Sequence, residues 1–294
     1  MPYTIMTDSA TDMPKEIVEK FDLHVIPTPV VIEETDYFDG STILPEQFYD
    51  ILRSGTDVKT YHINQYMFYE NFKPYAEAGK EVVYFCFSTG IAGTYNAANL
   101  AKQELLEEFP EFDLTIVDSK CASIGFGLGV YYALLMQKNG ASKEQVLEAA
   151  RFHFDHMEHM ITVSTLEYLY KGGRLSRTAA LAGGLLDLKP IIEMTDDGAL
   201  AAIEKIRGRK KALRRVVELV GERGAALNRQ IIGIAHGDCI EEALEVKRML
   251  EERYGCQNFK INYVGCAIGA HTGPGVIGVT FLDAESPYTA YLKE

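Results

Sequence analysis

Short apolar runs, each passing into a polar turn and then a stretch of helical composition, set the rhythm of the first half of this chain. Residues 2–7, 82–87 and 114–117 read as buried strands. A helix with the apolar stripe Ile17, Val18 and Phe21 follows the first. Thr11 or Asp12 can cap it, and Pro14 is tolerated in its first turn. Residues 95–109 and 121–138 supply helices after the other two strands. Such alternation predicts a parallel sheet covered by helices, with ligands held beyond the carboxyl ends of its strands. Ser9, Ser88–Gly90 and Asp118–Ser119 fall at those ends and can converge. Between the first two strands, residues 23–32 are β-like but broken by Pro27 and Pro29, which places them at an edge, with residues 37–39 pairing back on them. Residues 45–53 and 65–75 look helical, with a short β-like piece at 58–60 between them.

The pattern changes near residue 158. Apolar strands then recur at 160–164, 190–195, 200–206, 230–236, 259–264 and 276–282. Asp196-Asp197-Gly198 is a hairpin turn, so two of these strands run antiparallel. The expectation is an α/β protein of two domains. Residues 1–158 form an α/β domain with a parallel sheet, and residues 159–294 an α/β domain with a mixed six-stranded sheet.

The 294 residues carry 47% hydrophobic and 24% charged side chains, the balance of a globular protein with a sizeable core. A net charge of -13 argues against nucleic acid or an anionic membrane as a general partner. No apolar run reaches the length of a membrane span, and the first residues lack a secretory pattern. Five scattered cysteines with no Cys-x-x-Cys pair fit a reducing cytoplasm. The one dense basic run, residues 205–215, fits a partner surface better than nucleic acid.

The stretch from Val82 to Asn99 joins a strand, a turn rich in hydroxyls and glycine, and a helix. A helix start presents unpaired N–H groups, and the hydroxyls of Ser88 and Thr89 beside Gly90 add donors for an anion; the plainer alternative is a helix cap. Its residues, Ser88-Thr89-Gly90-Ile91-Ala92-Gly93-Thr94-Tyr95, resemble the Ser-Ser-Gly-Leu-Ser-Gly-Thr-Tyr signature of the DegV family. Further landmarks follow the same order: Thr7-Asp8-Ser9, Val117-Asp118-Ser119, Leu166-Glu167-Tyr168-Leu169 running into Gly172-Gly173-Arg174, and His271-Thr272-Gly273-Pro274-Gly275.

That resemblance implies the two-domain DegV fold and a fatty-acid-binding carrier subunit of bacterial fatty acid kinase. The protein would not be an enzyme itself. It would bind a long-chain fatty acid between its domains and present the carboxylate to the kinase catalytic subunit for acyl-phosphate formation, with no cofactor, no metal and no stable membrane insertion. The resemblance places Thr60, the Ser88–Gly90 turn and His271 around the carboxylate, with Ser88 and Thr89 left as alternatives, and Arg174 at the docking surface for the kinase. The chain departs from the family twice. Tyr61-His62-Ile63-Asn64 stands where the family has Ser-Gln-Pro-Ser, and Ala92 replaces the third serine of the signature.

Small residues among leucines at 178–192, including Ala180, Gly183, Gly184, Leu185 and Ile191, either line an acyl tunnel or pack tightly against a sheet. Gly125, Gly127 and Gly129 lie inside a helix, which suits close packing rather than a dinucleotide. His153, His156 and His159 are three apart, but all three would not converge on one metal from a helix. The rival functional class is an enzyme acting on a small phosphorylated or acidic metabolite at the Ser88–Thr94 loop; it lacks a Ser–His–Asp pattern or a nucleotide motif.

Overall fold

A computed structural model describes residues 3–175 and 187–293. The first half runs β1 (Tyr3–Asp8), α1 (Lys15–Phe21), β2 (His24–Ile26), β3 (Pro29–Ile32), β4 (Thr35–Phe38), α2 (Pro45–Arg53), β5 (Val58–Thr60), α3 (Gln65–Glu77), β6 (Glu81–Cys86), α4 (Thr94–Glu108), β7 (Leu114–Asp118), α5 (Ser123–Lys138) and α6 (Lys143–Asp155). Strands β2-β1-β6-β7 form a parallel sheet in that order. Side chains alternate across it. Val82, Tyr84 and Cys86 pack with Phe68, Phe72 and Ala97 of α3 and α4. Val83, Phe85 and Phe87 pack on the other face with Phe126, Leu134 and Phe154 of α5 and α6.

The prolines at 27 and 29 act more strongly than an edge strand requires. They split the β-like stretch so that β2 joins the parallel sheet, while β3 turns away into a separate antiparallel sheet β4-β3-β5. Asp12 does not cap α1. Pro14 occupies that N-cap, and Asp12 sits in the left-handed region with its carboxylate bonded elsewhere.

The second half runs β8 (Met157–Thr162), α7 (Glu167–Lys171), β9 (Leu188–Met194), β10 (Leu200–Arg207), α8 (Arg209–Arg223), β11 (Ile231–His236), α9 (Ile240–Tyr254), β12 (Asn258–Tyr263), α10 (Cys266–Thr272) and β13 (Ile277–Leu282). Its mixed sheet has the order β10-β9-β8-β13-β11-β12, with β9 and β10 antiparallel across the Asp196–Gly198 turn. One face packs Met160, Ile191, Ile232, Ile234 and Val279 against the apolar sides of α8 and α9. The opposite face looks toward α5 of the first half. The three helix glycines allow close approach on different sides: a side-chain carbon on Gly125 would lie 2.3 Å from His159 of the mixed sheet, one on Gly127 2.5 Å from the Thr11 carbonyl, and one on Gly129 2.1 Å from the Phe154 ring. Among the described residues, no helix is long and apolar enough to cross a membrane.

Candidate site at the seam between the two sheets

The inner face of the mixed sheet and the loops at the carboxyl ends of the parallel sheet enclose an apolar cavity. Period-two alternation builds its wall. His159, Ile161 and Val163 turn into it from β8 and its continuation, while Met160 turns to the helical core. Ile192, Leu200, Ala235 and Gly278 extend the wall across the sheet, and Ile124, Leu169, Val264, Ile268 and Val276 close it. From the first half come Thr28, Thr60, Tyr61 and His62, then Ile91, Ala92 and Thr94.

The polar end is built by side chains distant in sequence. Thr60 closes β5, and His271 lies in the last turn of α10; Thr60 Oγ1 and His271 Nε2 are 2.7 Å apart. Burial, with the Arg174 guanidinium nearby, pushes His271 down to about 4, so the imidazole is neutral near pH 7. Among the described residues its Nδ1 has no hydrogen-bond partner. An Nε2–H that donates to Thr60 Oγ1 leaves the threonine proton to point at a ligand. Arg174 does not project freely from its tight turn. It is half-buried, lines the cavity and donates from Nη1 to the Gly172 carbonyl at 2.5 Å. Loss of solvent around its side chain lowers its affinity for its proton.

Asp8 also borders the cavity, but its oxygens are occupied. They accept from the Tyr84 hydroxyl at 2.8 Å, the Phe87 N–H at 3.0 Å and the Ala10 N–H at 3.1 Å. Burial outweighs those bonds and raises its carboxyl to about 6. Asp12 and Asp39 tie α10 to the first half. Asp12 accepts from Gly265 N at 2.9 Å, and Asp39 from Cys266 N at 2.8 Å and Ala267 N at 3.2 Å. Both are pushed upward, chiefly by burial.

The Ser88–Gly90 turn does not reach the cavity wall. Ser88 is buried, and its Oγ donates to the Gly198 carbonyl at 2.7 Å. Thr89 is exposed and donates its backbone N–H to Asp118 at 3.1 Å. A side-chain carbon on Gly90 would strike the Gly198 carbonyl carbon at 2.4 Å. The turn is therefore the seat of the second half's hairpin, and the loop residues facing the cavity are its successors Ile91, Ala92 and Thr94. Ile191 likewise points to the helical core, and its neighbour Ile192 faces the cavity. Ala180, Gly183, Gly184 and Leu185 lie outside the described residues. The three histidines do not share a helix: His153 lies in α6, His156 follows it, and His159 lies on β8. No group of three or more His, Cys, Asp or Glu among the described residues could hold a metal.

Fold and site together define an α/β protein with an apolar cavity between two sheets and a neutral hydroxyl–imidazole pair in its lining. The family described as "Uncharacterised protein, DegV family" matches residues 2–284. A DegV domain-containing protein of Clostridium perfringens is 38% identical over 288 residues, covering 97% of this chain and 99% of the relative. Among solved structures, a stearic acid-binding protein from Eubacterium ventriosum superposes with a TM-score of 0.85 at 29% identity, covering 95% of this chain and 97% of its own. DegV from Bacillus subtilis, a fatty acid binding protein, gives 0.84 at 28%, covering 95% and 98%. The chain belongs to the DegV family.

Proposed function

We propose that this protein binds a long-chain fatty acid in the cavity and presents its carboxylate to a partner kinase in the cytoplasm for conversion to an acyl phosphate. The observation that carries the reading is the Thr60–His271 pair, 2.7 Å apart, in the lining of a cavity walled by aliphatic side chains from both sheets. Neighbours of the same fold that hold stearic acid or other fatty acids support it. Burying a tail of roughly sixteen carbons at about 0.8 kcal/mol per CH₂ gives on the order of 10 kcal/mol. A hydrogen bond to the charged head adds only about 1.5–3 kcal/mol. The tail therefore dominates affinity, and Thr60 and His271 fix which end stays at the mouth. A head held by neutral donors keeps an oxygen available as a nucleophile toward a phosphoryl group. Ser88 and Thr89 shape the seam in this reading rather than touching the acid. Arg174 sits where cavity and surface meet, within reach of both the head group and a docked partner. The test is native mass spectrometry of the purified protein, followed by organic extraction. A fatty acid present at near one per chain is expected. Absence of lipid together with failure to take up added palmitic acid would refute the reading.

A further inference from the structure

Of the three serine positions in the family signature, the structure brings only one to the cavity wall, and alanine stands there as Ala92, two residues before the cavity-lining Thr94. The other departure from the family lies directly beside it. In the segment after Thr60, Ile63 is buried in the first-half core and the Asn64 side chain caps α3 through Met67 N at 2.9 Å. Those two residues are committed to the fold. Tyr61 and His62 are exposed and border the cavity. The His62 ring lies over the loop that carries Ala92: a side-chain carbon on Gly93 would stand 3.5 Å from its Cε1 and Nε2 and 3.6 Å from its Nδ1. Neither ring nitrogen hydrogen-bonds to a described residue. Thr94 keeps its hydroxyl on the same loop, and two other hydroxyls on this part of the wall have protein partners. The Thr28 Oγ1 accepts from the Ser9 hydroxyl at 3.0 Å, and the Ser123 hydroxyl donates to Asp12.

We infer that His62 is a head-group contact, supplying from across the mouth the donor that Ala92 cannot, so that the ligand carboxylate is held between the His62 ring and the Thr60–His271 pair. An imidazole offers an N–H donor in either tautomer, and its reach replaces a short hydroxyl on the loop. The inference rests on the fatty-acid reading above. It puts one head-group donor of this chain on the loop after β5, facing the helix-start loop that carries Ala92.

Binding of palmitic acid and of 1-hexadecanol is measured by titration calorimetry for the wild type, His62→Ala, Ala92→Ser and the double variant. The side chain of His62 is exposed, so folding should survive, and circular dichroism checks it. His62→Ala is expected to lose about tenfold in affinity for the acid, the scale of one charged hydrogen bond, with the alcohol changed by less than about twofold. Ala92→Ser in the His62→Ala background should recover most of that loss. Acid binding that is unchanged in His62→Ala, or acid and alcohol weakened equally, overturns the assignment. A double variant no tighter than His62→Ala overturns the exchange of donors. Failure of the wild type to bind either lipid would refute the fatty-acid reading itself, a result distinguishable from all of these.

Discussion

At the scale of single residues, the proposed head-group end depends on a contact spanning 211 positions of sequence, Thr60 to His271. Thr60→Val keeps the shape and removes the hydroxyl. It leaves His271 Nε2 facing carbon, so the fatty acid should bind roughly tenfold more weakly and the fold should lose about 1–2 kcal/mol. Calorimetry and urea unfolding check the two parts separately. His271 carries its own test. Its ordinary value is 6.5 and the folded value is about 4, so between these limits the unfolded chain takes up more protons than the folded one. The stability it contributes is present above about 6.5 and is lost as the pH falls toward 4. A ¹⁵N imidazole titration by NMR should show a midpoint near 4; a midpoint near 6.5 would mean the ring is solvated. Thr60 and His271 stand out only through the family resemblance, because a threonine at a strand end or a histidine at a helix end carries no local signal of a ligand. Ser88 was legible as a turn hydroxyl but not as a seam residue, because its partner is a backbone carbonyl 110 positions away and carbonyls carry no sequence signal. Period-two alternation separates Ile191 from Ile192, but only the assembled sheet tells which face is the cavity.

At the scale of elements, α10 is the piece that brings His271 to the site, and it is a short helix with no side-chain cap of its own. Its first N–H groups are satisfied instead by Asp12 and Asp39 from the other half of the chain. Asp39 also accepts the Ser9 hydroxyl at 3.3 Å, so one carboxylate joins β1's end, the β4 loop and α10. Asp39→Ala strands buried donors and should cost about 2–4 kcal/mol in urea unfolding, with weaker fatty acid binding because His271 moves with its helix. Asp39→Asn keeps an acceptor and resembles the protonated acid that burial favours, so about half of that loss is expected. Equal losses for the two variants would mean that charge, rather than acceptance, holds α10. Strand and helix order was largely readable because apolar runs, prolines and the Asp-Asp-Gly turn are local signals. The three-stranded sheet β4-β3-β5 was not, since nothing local says that β3 leaves the sheet its neighbour β2 joins. Asp12, like Thr11, looks from the sequence like a candidate local cap for the same reason: its actual partners, Ser123 and Gly265, lie far along the chain.

For the whole molecule, the cavity has no complete wall in either half. Ile91, Ala92 and Thr60 come from one side, and Ile161, Ile192 and His271 from the other. The hairpin at Gly198 closes the same seam by pressing on Ser88, where a side-chain carbon on Gly198 would meet Ser88 Oγ at 2.2 Å and the backbone has φ of 78°. A ligand that touches both walls binds only when both sheets are folded and docked. Binding energy is then shared by the whole assembly, and ligand at a hundred times its dissociation constant should add about 2.7 kcal/mol to unfolding. Differential scanning calorimetry of the delipidated protein, with and without palmitic acid, tests this coupling. The expected outcome is that the entire unfolding endotherm moves upward as one. Gly198→Ala, which forces a strained turn against the seam, should lower the apo transition and reduce the upward shift. If two transitions appear and palmitic acid moves only one, the ligand is held by a single half, and the seam between the sheets is not its binding site.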